Sequence, residues 1–473
     1  MSKLYIFAIG GTGSRVLRSL TMLFTAGVKS TSDEIIPIII DPDFAAADLT
    51  RTVELMQTYS KVRKSLTFSS DTKNHFLETQ IMEEVPNFRM TIKNGEGRPF
   101  SSYIEINGLS RENEALIRAL FSDDNLDSDM QVGFKGNPNI GSIVLNQFAE
   151  SKEFNAFASN FQEGDKIFIV SSIFGGTGAS GFPLLLKTIR GFSGPNKALL
   201  QSAPIGAISV LPYFGLEQDK NSKIDSTTFI AKTRAALSYY NANISGNNSV
   251  DNLYYIADDI KNCYSNSEGG VTQQNAAHLI ELLAATAVLH FDANSVQQQH
   301  TSSSPTHTYE FGTNEAADAY QFTDFHPVTR KLLSAPLTRL MIFSRYCREV
   351  LSNAIGKQPW SKTLSLDDTF FSSPFATDIR KLTDAYFDWL IELRNNNRSF
   401  APFELDAKNP EASVRGLQPH YGFLKFSKGF DLINDELNKA SNHVSSDGSS
   451  RQQAFADIAF LATNNIVTQN LNM

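Results

Sequence analysis

Two Gly-Gly-Thr-Gly segments, each placed shortly after a strand-like run, constrain the fold more than any other feature of this sequence. Residues 4–9 form a continuous apolar run before the first segment, and residues 167–172 precede the second. Runs of this kind are typical of buried parallel strands. A helical pattern follows, with Val16, Leu17 and Leu20 on one face after the first segment. The order strand, glycine turn, helix predicts a parallel sheet covered by helices.

Further strand patterns favour the α/β fold class. Residues 35–40, 205–211 and 253–256 are apolar runs of strand length, and a turn and a helix candidate follow each of them. Alternation of strands and helices over this length is typical of a parallel sheet with helices on both faces. We therefore expect the first half of the chain to form one α/β domain.

The glycine segments also point to a phosphate site. A phosphate needs several backbone N–H groups that converge on it with no Cβ in the way, and glycines between a strand and a helix provide this geometry. Neither segment is a P-loop, because no Lys-Ser/Thr pair follows the glycines. Val16 stands at the third glycine position of the dinucleotide fingerprint, so the first segment departs from that motif as well. The predicted phosphate-binding residues are Gly10, Gly11, Thr12, Gly13, Gly175, Gly176, Thr177 and Gly178.

Length and patterning divide the chain into two domains and a connection. With 473 residues, the chain exceeds the usual size of a single hydrophobic core. We predict a nucleotide-binding domain over residues 1–292, with an insertion at about 50–135 and a long buried helix over 274–292. Residues 293–312 are polar and predict a linker or loop. Residues 313–473 predict a mainly helical C-terminal domain.

Charge and cysteine content argue against several function classes. The chain has 50 acidic and 42 basic residues, a net charge of −8, which disfavours nucleic acid or an anionic membrane as its main partner. Its two cysteines, Cys263 and Cys347, lack zinc-binding spacing and fit a reducing compartment. The sequence shows no signal-peptide pattern and no apolar run near the roughly 20 residues of a membrane span. We expect a cytoplasmic protein with no metal centre, no nucleic-acid binding and no membrane insertion.

Three loops resemble those of the tubulin/FtsZ superfamily and occur in the family order. Residues 172–181, Ser-Ile-Phe-Gly-Gly-Thr-Gly-Ala-Ser-Gly, are similar to the signature Gly-Gly-Gly-Thr-Gly-Ser/Thr-Gly. Residues 10–13 resemble the first nucleotide loop, and the segment that begins at Asn137 matches an Asn-Pro-x-x-Gly loop of FtsZ. The greatest similarity is to a divergent bacterial branch called tubulin-like, and it covers roughly residues 1–292. That branch has an Asn-x-x-His-x-x-Glu helix start, which corresponds here to Asn275, His278 and Glu281.

This resemblance implies a guanine nucleotide, GTP or GDP, with Mg²⁺ held mainly through its phosphates. Asn275 stands where tubulin has an Asn that reads the guanine edge, and an amide suits that edge because it offers a donor and an acceptor. Glu217 ends a segment that lies near the ribose in FtsZ. Asp258 belongs either to a loop that contacts the base or ribose, or to a solvated turn. Asp41 either meets a ribose hydroxyl or a magnesium-bound water, or caps the next helix.

The resemblance also implies how hydrolysis and assembly are connected. In tubulin and FtsZ, an acid in the loop after the central helix orients the attacking water in the site of the next subunit. Asp292 is the candidate here, with a solvated helix-end Asp as the alternative, although the loop lacks the Asn-x-Asp-x-x-Asp pattern. A homo-oligomer or filament is therefore expected. The helical C-terminal domain departs from the family and offers faces for a protein partner encoded in the same operon.

Three functions remain open from the sequence. The first is a guanine-nucleotide-binding protein with slow or absent GTPase activity, whose nucleotide state controls self-assembly or partner binding. The second is a degenerate scaffold, indifferent to nucleotide, in a bacterial multi-component system such as defence. The third is an NAD(P)-binding Rossmann oxidoreductase that uses Gly11-x-Gly13 and Asp41, against which Val16 argues.

Overall fold

The fold is known from a computed structural model. The described residues are 2–93, 97–130, 133–134, 136–217, 229–260, 262–265, 269–295, 300–301, 303–311, 319–416, 429–444 and 450–473.

A parallel sheet of seven strands forms the centre of the described structure. Its strand order is β3-β2-β1-β4-β5-β7-β9, and every neighbouring pair is parallel. Two short parallel pairs, β6 with β8 and β10 with β11, lie outside this sheet. The strands are β1 (Lys3–Ile9), β2 (Glu34–Ile40), β3 (Gln80–Ile81), β4 (Lys166–Ser172), β5 (Ile205–Val210), β6 (Phe214–Leu216), β7 (Asn252–Ile256), β8 (Asn262–Tyr264), β9 (His307–Phe311), β10 (Ala319–Tyr320) and β11 (Ser399–Phe400).

The helices of the described residues vary from single turns to rods of 23 residues. They are α1 (Gly10–Thr25), α2 (Ala47–Lys64), α3 (Phe100–Tyr103), α4 (Arg111–Leu120), α5 (Asp123–Leu126), α6 (Pro138–Leu145), α7 (Lys152–Asn160), α8 (Gly176–Arg190), α9 (Lys197–Gln201), α10 (Phe229–Tyr240), α11 (Leu279–Asn294), α12 (Pro327–Glu349), α13 (Leu351–Ala354), α14 (Pro359–Thr363), α15 (Asp368–Phe371), α16 (Pro374–Asn395), α17 (Leu432–Ser441) and α18 (Arg451–Asn465).

Alternate residues of each strand face opposite helix layers, as the two-residue period of a strand requires. On one face, Phe168 of β4 packs against Phe291 of α11, with ring centroids 5.4 Å apart. On the other face, Tyr5 and Phe7 of β1 pack against Phe157 of α7 at 4.9 and 5.0 Å. Because both faces are covered, all seven residues of β4 are buried. This explains why the sheet strands are apolar runs rather than alternating patterns.

The order of the strands decides where a ligand site can form. Strands β2 and β3 follow β1 on one side, and β4 and β5 follow on the other, so the chain direction across the sheet reverses between β1 and β4. In open α/β sheets, ligands bind outside the carboxyl ends of the strands at such a reversal. The two glycine segments follow β1 and β4, and they therefore meet at this point.

The helical region after the sheet packs on the first half of the chain. Helix α16 contacts α2 and α12, and α17 contacts α18. In the described residues after β9, β10 and β11 are strands of two residues each, and the longer elements are helices. These observations confirm the α/β class with a mainly helical C-terminal region.

Three predicted boundaries differ from the structure. Helix α11 begins at Leu279 and not at residue 274, because side chains hold the preceding backbone in an irregular conformation. Strand β9 (His307–Phe311) lies within the range predicted as a linker, where its backbone extends the sheet beside β7. Helix α2 lies mostly within the range predicted as an insertion, yet it packs on α1 and α16 as part of the helical layer.

Candidate functional site

The two glycine segments meet in one cleft at the carboxyl edge of β1 and β4. A Cβ placed on Gly10 would lie 3.5 Å from the Cβ of Thr177, so the two loops approach each other closely. Residues from both loops, from the chain just after β2 and from the segment before α11 line the cleft. The lining includes Gly10, Gly11, Thr12, Arg15, Asp41, Asp43, Gly175, Gly176, Thr177, Gly178, Gln273 and Asn275.

Close backbone approach explains several of the glycines. A Cβ on Gly13 would lie 2.6 Å from the carbonyl carbon of Ala8, and one on Gly178 would lie 2.4 Å from the carbonyl oxygen of Ser172. No side chain fits at such distances, so each helix starts directly against its own strand. Gly10 has a φ of +74°, a conformation that favours glycine. Gly10, Gly13 and Gly178 are thus needed to form the cleft, whatever occupies it.

Helices α1 and α8 begin at the cleft without a capping side chain. Ile9 and Gly175 occupy their N-cap positions, and neither first turn has an acidic residue. By contrast, Ser151 caps α7 with its side chain. The first N–H groups of a helix have no partner within the helix, and they carry a partial positive charge. Two such helix starts that converge on one cleft form a site suited to a phosphate.

Asn137 supports the second glycine segment but uses its side chain elsewhere. Its side-chain oxygen accepts the N–H groups of Asn139 at 3.0 Å and Ile140 at 3.4 Å, which caps α6. Its backbone nitrogen lies 3.0 Å from where a Cβ on Gly176 would be. Asn137 is therefore a neighbour of the second loop through its backbone, and its amide side chain stabilises α6.

Asp41 lies in the cleft, and one of its carboxylate oxygens accepts a hydrogen bond from the backbone. Its Oδ1 accepts the N–H of Asp43 at 3.0 Å, and the residue is only 7% exposed. Burial raises the pKa of Asp41 to about 7, although the hydrogen bond from Asp43 opposes the shift. The alternative role as a helix cap is not observed, because α2 has Ala46 at its N-cap and no side-chain cap. Asp41 is thus a carboxyl group that changes charge near neutral pH.

Asn275 lines the cleft from the segment before α11. Its N–H donates to both carboxylate oxygens of Asp48 at 3.2 and 3.3 Å, and its carbonyl oxygen accepts from Arg51. The side-chain amide has no hydrogen-bond partner among the described residues, and the residue is half-buried. The backbone is therefore fixed while the amide side chain is available to a ligand.

His278 begins α11 and has a structural role. Its Nδ1 accepts the N–H of Ile280 at 3.1 Å, while Glu281 accepts the N–H of His278 at 3.1 Å, which completes a capping box. Burial lowers the pKa of His278 to about 4, so the ring is neutral at physiological pH. The helix-start motif thus serves to orient α11 beside the cleft.

Arg15 lines the cleft and was not predicted from the sequence. Its Nη1 lies 3.0 Å from Asp48, its Nε lies 2.6 Å from Glu281, and its Nη2 donates to Tyr213 at 2.9 Å. The residue is 3% exposed. Arg15 gives no distinctive signal in the sequence, because α1 also buries Arg18 and several hydroxyl side chains. Its partners are distant in the sequence, so the pattern alone could not assign them.

Two acidic residues predicted to contact the ligand, Glu217 and Asp258, lie away from the lining of the cleft. Glu217 is exposed, and its N–H pairs with the carbonyl oxygen of Tyr264 at 3.0 Å, while the adjacent Leu216 lines the cleft. The carboxylate of Asp258 is buried in an ion pair with Arg398 at 2.8 Å. Asp258 therefore connects the sheet to the helical region and does not form a solvated turn.

Asp292 lies at the opposite edge of the sheet from the glycine loops. It forms an ion pair with Lys166, the first residue of β4, at 2.7 Å, and accepts hydroxyl groups of Ser30 and Ser32 at 2.6 Å each. Burial alone would raise the pKa of Asp292, but these hydrogen bonds lower it to about 2. Asp292 is completely buried. These contacts join α11 to β4 and to the chain before β2. They fit neither a carboxylate that orients a water molecule nor a solvated residue at a helix end.

Metal-binding clusters and membrane-spanning helices are both absent from the described residues. They contain no group of three or more His, Cys, Asp or Glu side chains arranged to hold a metal ion. None of their helices combines the length and apolar character needed to cross a bilayer.

Comparison with known proteins finds structural similarity to archaeal proteins at low sequence identity. No model of a protein family matches the sequence, and no curated protein matches it. CetZ from Methanosaeta thermophila strain DSM 6194 is 15% identical, with a TM-score of 0.29 over 63% of this chain and 52% of that chain. CetZ1 from Haloferax volcanii, a GDP-bound monomer, is 16% identical, with a TM-score of 0.28 over 54% of this chain and 51% of that chain.

A third structure, CetZ2 from Haloferax volcanii in a GTPγS-bound protofilament, is 13% identical and has a TM-score of 0.32. The alignment covers 73% of this chain and 72% of that one. The chain thus spans about half the length of the first two structures. At these TM-scores, we assign neither a family nor a function from the similarity.

Proposed function

We propose that this chain is a member of the tubulin/FtsZ superfamily that binds a guanine nucleotide, GTP or GDP, in the cleft between β1 and β4. The observation that carries the proposal is the convergence of two uncapped helix starts, α1 and α8, each behind a glycine turn. The diphosphate would accept their first-turn N–H groups. The order of the resembling loops along the chain supports the family assignment.

Asn275 supports guanine as the base. Its backbone is held from both sides, and its side-chain amide has no partner within the described part of the chain. An amide can offer an acceptor and a donor to the guanine edge at once. In the proposal, this residue selects guanine over adenine.

Asp41 and Asp43 are the carboxyl groups that line the same cleft. Because the described residues provide no cluster of protein ligands for a metal, Mg²⁺ would be held mainly by the phosphates. Mg²⁺ favours oxygen ligands and keeps several waters, so one carboxylate near the phosphates is enough to orient it. A bound Mg²⁺ would also favour the ionised form of Asp41.

Hydrolysis is not part of the proposal. The expected acid, Asp292, is enclosed by Lys166 and two serine hydroxyl groups. We propose instead that the nucleotide acts as a bound effector, which controls self-assembly or the binding of a protein partner to the helical region. A nucleotide-indifferent scaffold remains the outcome if the cleft binds nothing.

The test is calorimetric titration with GDP, GTPγS, ADP and NAD⁺, together with chromatography of any nucleotide released from denatured protein. We expect GDP and GTPγS to bind more tightly than ADP or NAD⁺. Preference for NAD⁺ would support a dinucleotide-binding protein, and no binding of any of the four would support a scaffold.

A matched pair of glycine variants strengthens the test. A Cβ on Gly11 meets only Nη1 of Arg15, at 3.4 Å, so Gly11→Ala should fold while it places a methyl group in the cleft. Gly108→Ala is the control, because no atom lies within 4 Å of its added Cβ. We expect GDP affinity to fall about tenfold in the first variant, the loss of roughly one charge-assisted hydrogen bond, and to stay unchanged in the second. Equal affinities would exclude the glycine loop from the site.

A further inference from the structure

The segment from Gln273 to His278 has an irregular backbone at the base-binding end of the proposed site. It lies between a short helical turn and the start of α11. Backbone groups outside regular structure still need hydrogen-bond partners when they are buried. In this segment, side chains from several other elements provide them. The identity of those side chains shows what holds the proposed base-reading residue in place.

Two elements of the sheet domain hold the first part of the segment. On α2, Asp48 accepts the N–H of Asn275 at 3.2 and 3.3 Å, and Arg51 donates to its carbonyl oxygen. On β8, the hydroxyl group of Tyr264 donates to the carbonyl oxygen of Ala276 at 3.1 Å. Asn275 is therefore fixed by an acid and a base that are three residues apart on one helix.

The helical C-terminal region holds the rest of the segment. At the end of α16, Oε2 of Glu392 accepts the N–H of Ala277 at 2.7 Å. The side-chain amide of Asn396 donates to the carbonyl oxygen of the same residue. Two side chains, 115 and 119 residues away in the sequence, thus bind both polar groups of one peptide residue.

Glu392 is itself firmly positioned. Arg18 donates to its two carboxylate oxygens at 2.6 and 2.9 Å, and Arg51 donates at 3.1 Å. Burial alone would raise the pKa of Glu392, but the hydrogen bond and charge of Arg18, with the charge of Arg51, lower it. The group is therefore an ionised acceptor, which forms a stronger hydrogen bond than a neutral one. Arg51 donates both to Glu392 and to the carbonyl oxygen of Asn275, so the contacts that hold Asn275 and Ala277 share a cation.

We propose that Glu392 and Asn396 are positioning residues for guanine recognition, which hold the backbone around Asn275 so that its side-chain amide meets the base. The inference rests on the proposed function, because it concerns the same nucleotide site. The contact of α16 with this segment strengthens binding of the base. By thermodynamic linkage, binding of the base therefore strengthens the contact of α16 with the sheet domain by the same free energy. The helical region thereby becomes sensitive to the nucleotide.

The test compares GDP with ADP in the full-length protein. We expect Glu392→Ala to weaken GDP binding about tenfold, the effect of one charge-assisted hydrogen bond, and to leave ADP binding within about twofold. The preference for GDP over ADP should then fall about tenfold. Glu392→Gln keeps an acceptor oxygen and should recover part of the preference. Asp388→Ala, an exposed acid on the same helix, is the control and should leave the preference unchanged.

Several outcomes would overturn the inference. If GDP and ADP weaken equally in Glu392→Ala, the residue supports the fold and not base recognition. An unchanged GDP affinity would exclude any role. Asn396→Ala removes one neutral donor and no charge, so it provides the same comparison if Glu392→Ala does not fold. If the wild-type protein binds neither GDP nor ADP, the proposed function fails. If the wild-type protein prefers GDP and the variants keep the same preference, the proposed function stands and only this inference fails.

Discussion

Arg15 and Glu281 form a buried ion pair, with Nε and Oε1 2.6 Å apart, that joins the helix after the first strand to the central helix. Asp48 approaches the same guanidinium group at 3.0 Å. The pair lies beside the cleft, and Asp48 also holds the backbone of Asn275. One cation therefore connects the first glycine helix, the proposed base reader and the start of α11.

Removing this cation should destabilise the fold strongly. Arg15→Leu leaves the buried carboxylate of Glu281 without a counter-charge, while Asp48 keeps its ion pair with Arg51 at 2.7 Å. We expect a loss of about 3–5 kcal/mol in the free energy of unfolding. Urea denaturation measures the change. Arg118→Ala is the control, because it breaks an exposed ion pair with Glu114 worth about 1 kcal/mol or less. Similar losses for both variants would show that the buried network does not contribute more than a surface pair.

The amide of Asn275 should decide base selectivity. In Asn275→Asp, the donor to the guanine edge is lost and a negative charge is placed near the base. We expect GDP binding to weaken by about 1–3 kcal/mol, with ADP binding much less affected. Calorimetry provides both dissociation constants. Asn243→Asp, on the exposed surface, is the control for the added charge. Undiminished GDP binding in Asn275→Asp would mean that another group reads the base.

Nucleotide binding should depend on pH through Asp41. Its pKa is about 7 in the folded protein, so the carboxyl group is neutral below pH 7 and repels phosphate above it. Without Mg²⁺, we expect GDP affinity to fall as pH rises through about 7. Titrations at pH 6 to 8 measure the effect. In Asp41→Asn this part of the pH dependence should vanish, while ionisation of the nucleotide itself remains.

The same group should affect stability in a defined direction. The folded state keeps the proton of Asp41 up to about pH 7, whereas the unfolded state loses it near the ordinary value of 3.8. The folded state therefore binds more protons between these values, and stability without nucleotide should fall as pH rises from about 4 to about 7. Urea midpoints across this range, compared with those of Asp41→Asn, isolate the contribution. A variant with the same slope as wild type would assign the effect to other groups.

Asp292 should matter for stability and not for nucleotide binding. Asp292→Asn leaves Lys166 buried without its counter-charge, and we expect a loss of about 3–5 kcal/mol with GDP affinity unchanged in the folded fraction. Because its pKa is lowered from 3.8 to about 2, the wild-type contribution should be complete above about pH 4 and disappear as pH falls through about 2. Asp406→Asn, whose carboxylate is 85% exposed, is the control. If Asp292→Asn is as stable as the wild type, the ion pair is not a stabilising contact, and a catalytic role for Asp292 becomes a valid hypothesis again.

Local patterns in the sequence predicted the frame of the site. Residues 4–9 and 167–172 indicated buried strands, and the glycines after them indicated helix starts close to a strand. Asp41 was predicted at a strand end and does line the cleft. The predictions of strands and helix starts succeed because strand burial, glycine turns and helix starts depend on neighbouring residues. The boundaries of α11 and β9 differ because contacts from distant residues determine them.

The sequence by itself determined a parallel α/β sheet with two glycine turns at the ends of strands, since each of these features arises from short-range patterns. Only the tertiary structure decided which charges meet. Arg15 pairs with Glu281 across 266 residues, and Glu392 reaches the backbone beside Asn275 across 115 residues. Such pairs leave no periodic signal, because a buried charge is stabilised by whatever opposite charge the fold brings within hydrogen-bond distance. For the same reason, the sequence indicated a catalytic role for Asp292, whereas in the structure Asp292 forms a buried ion pair with Lys166.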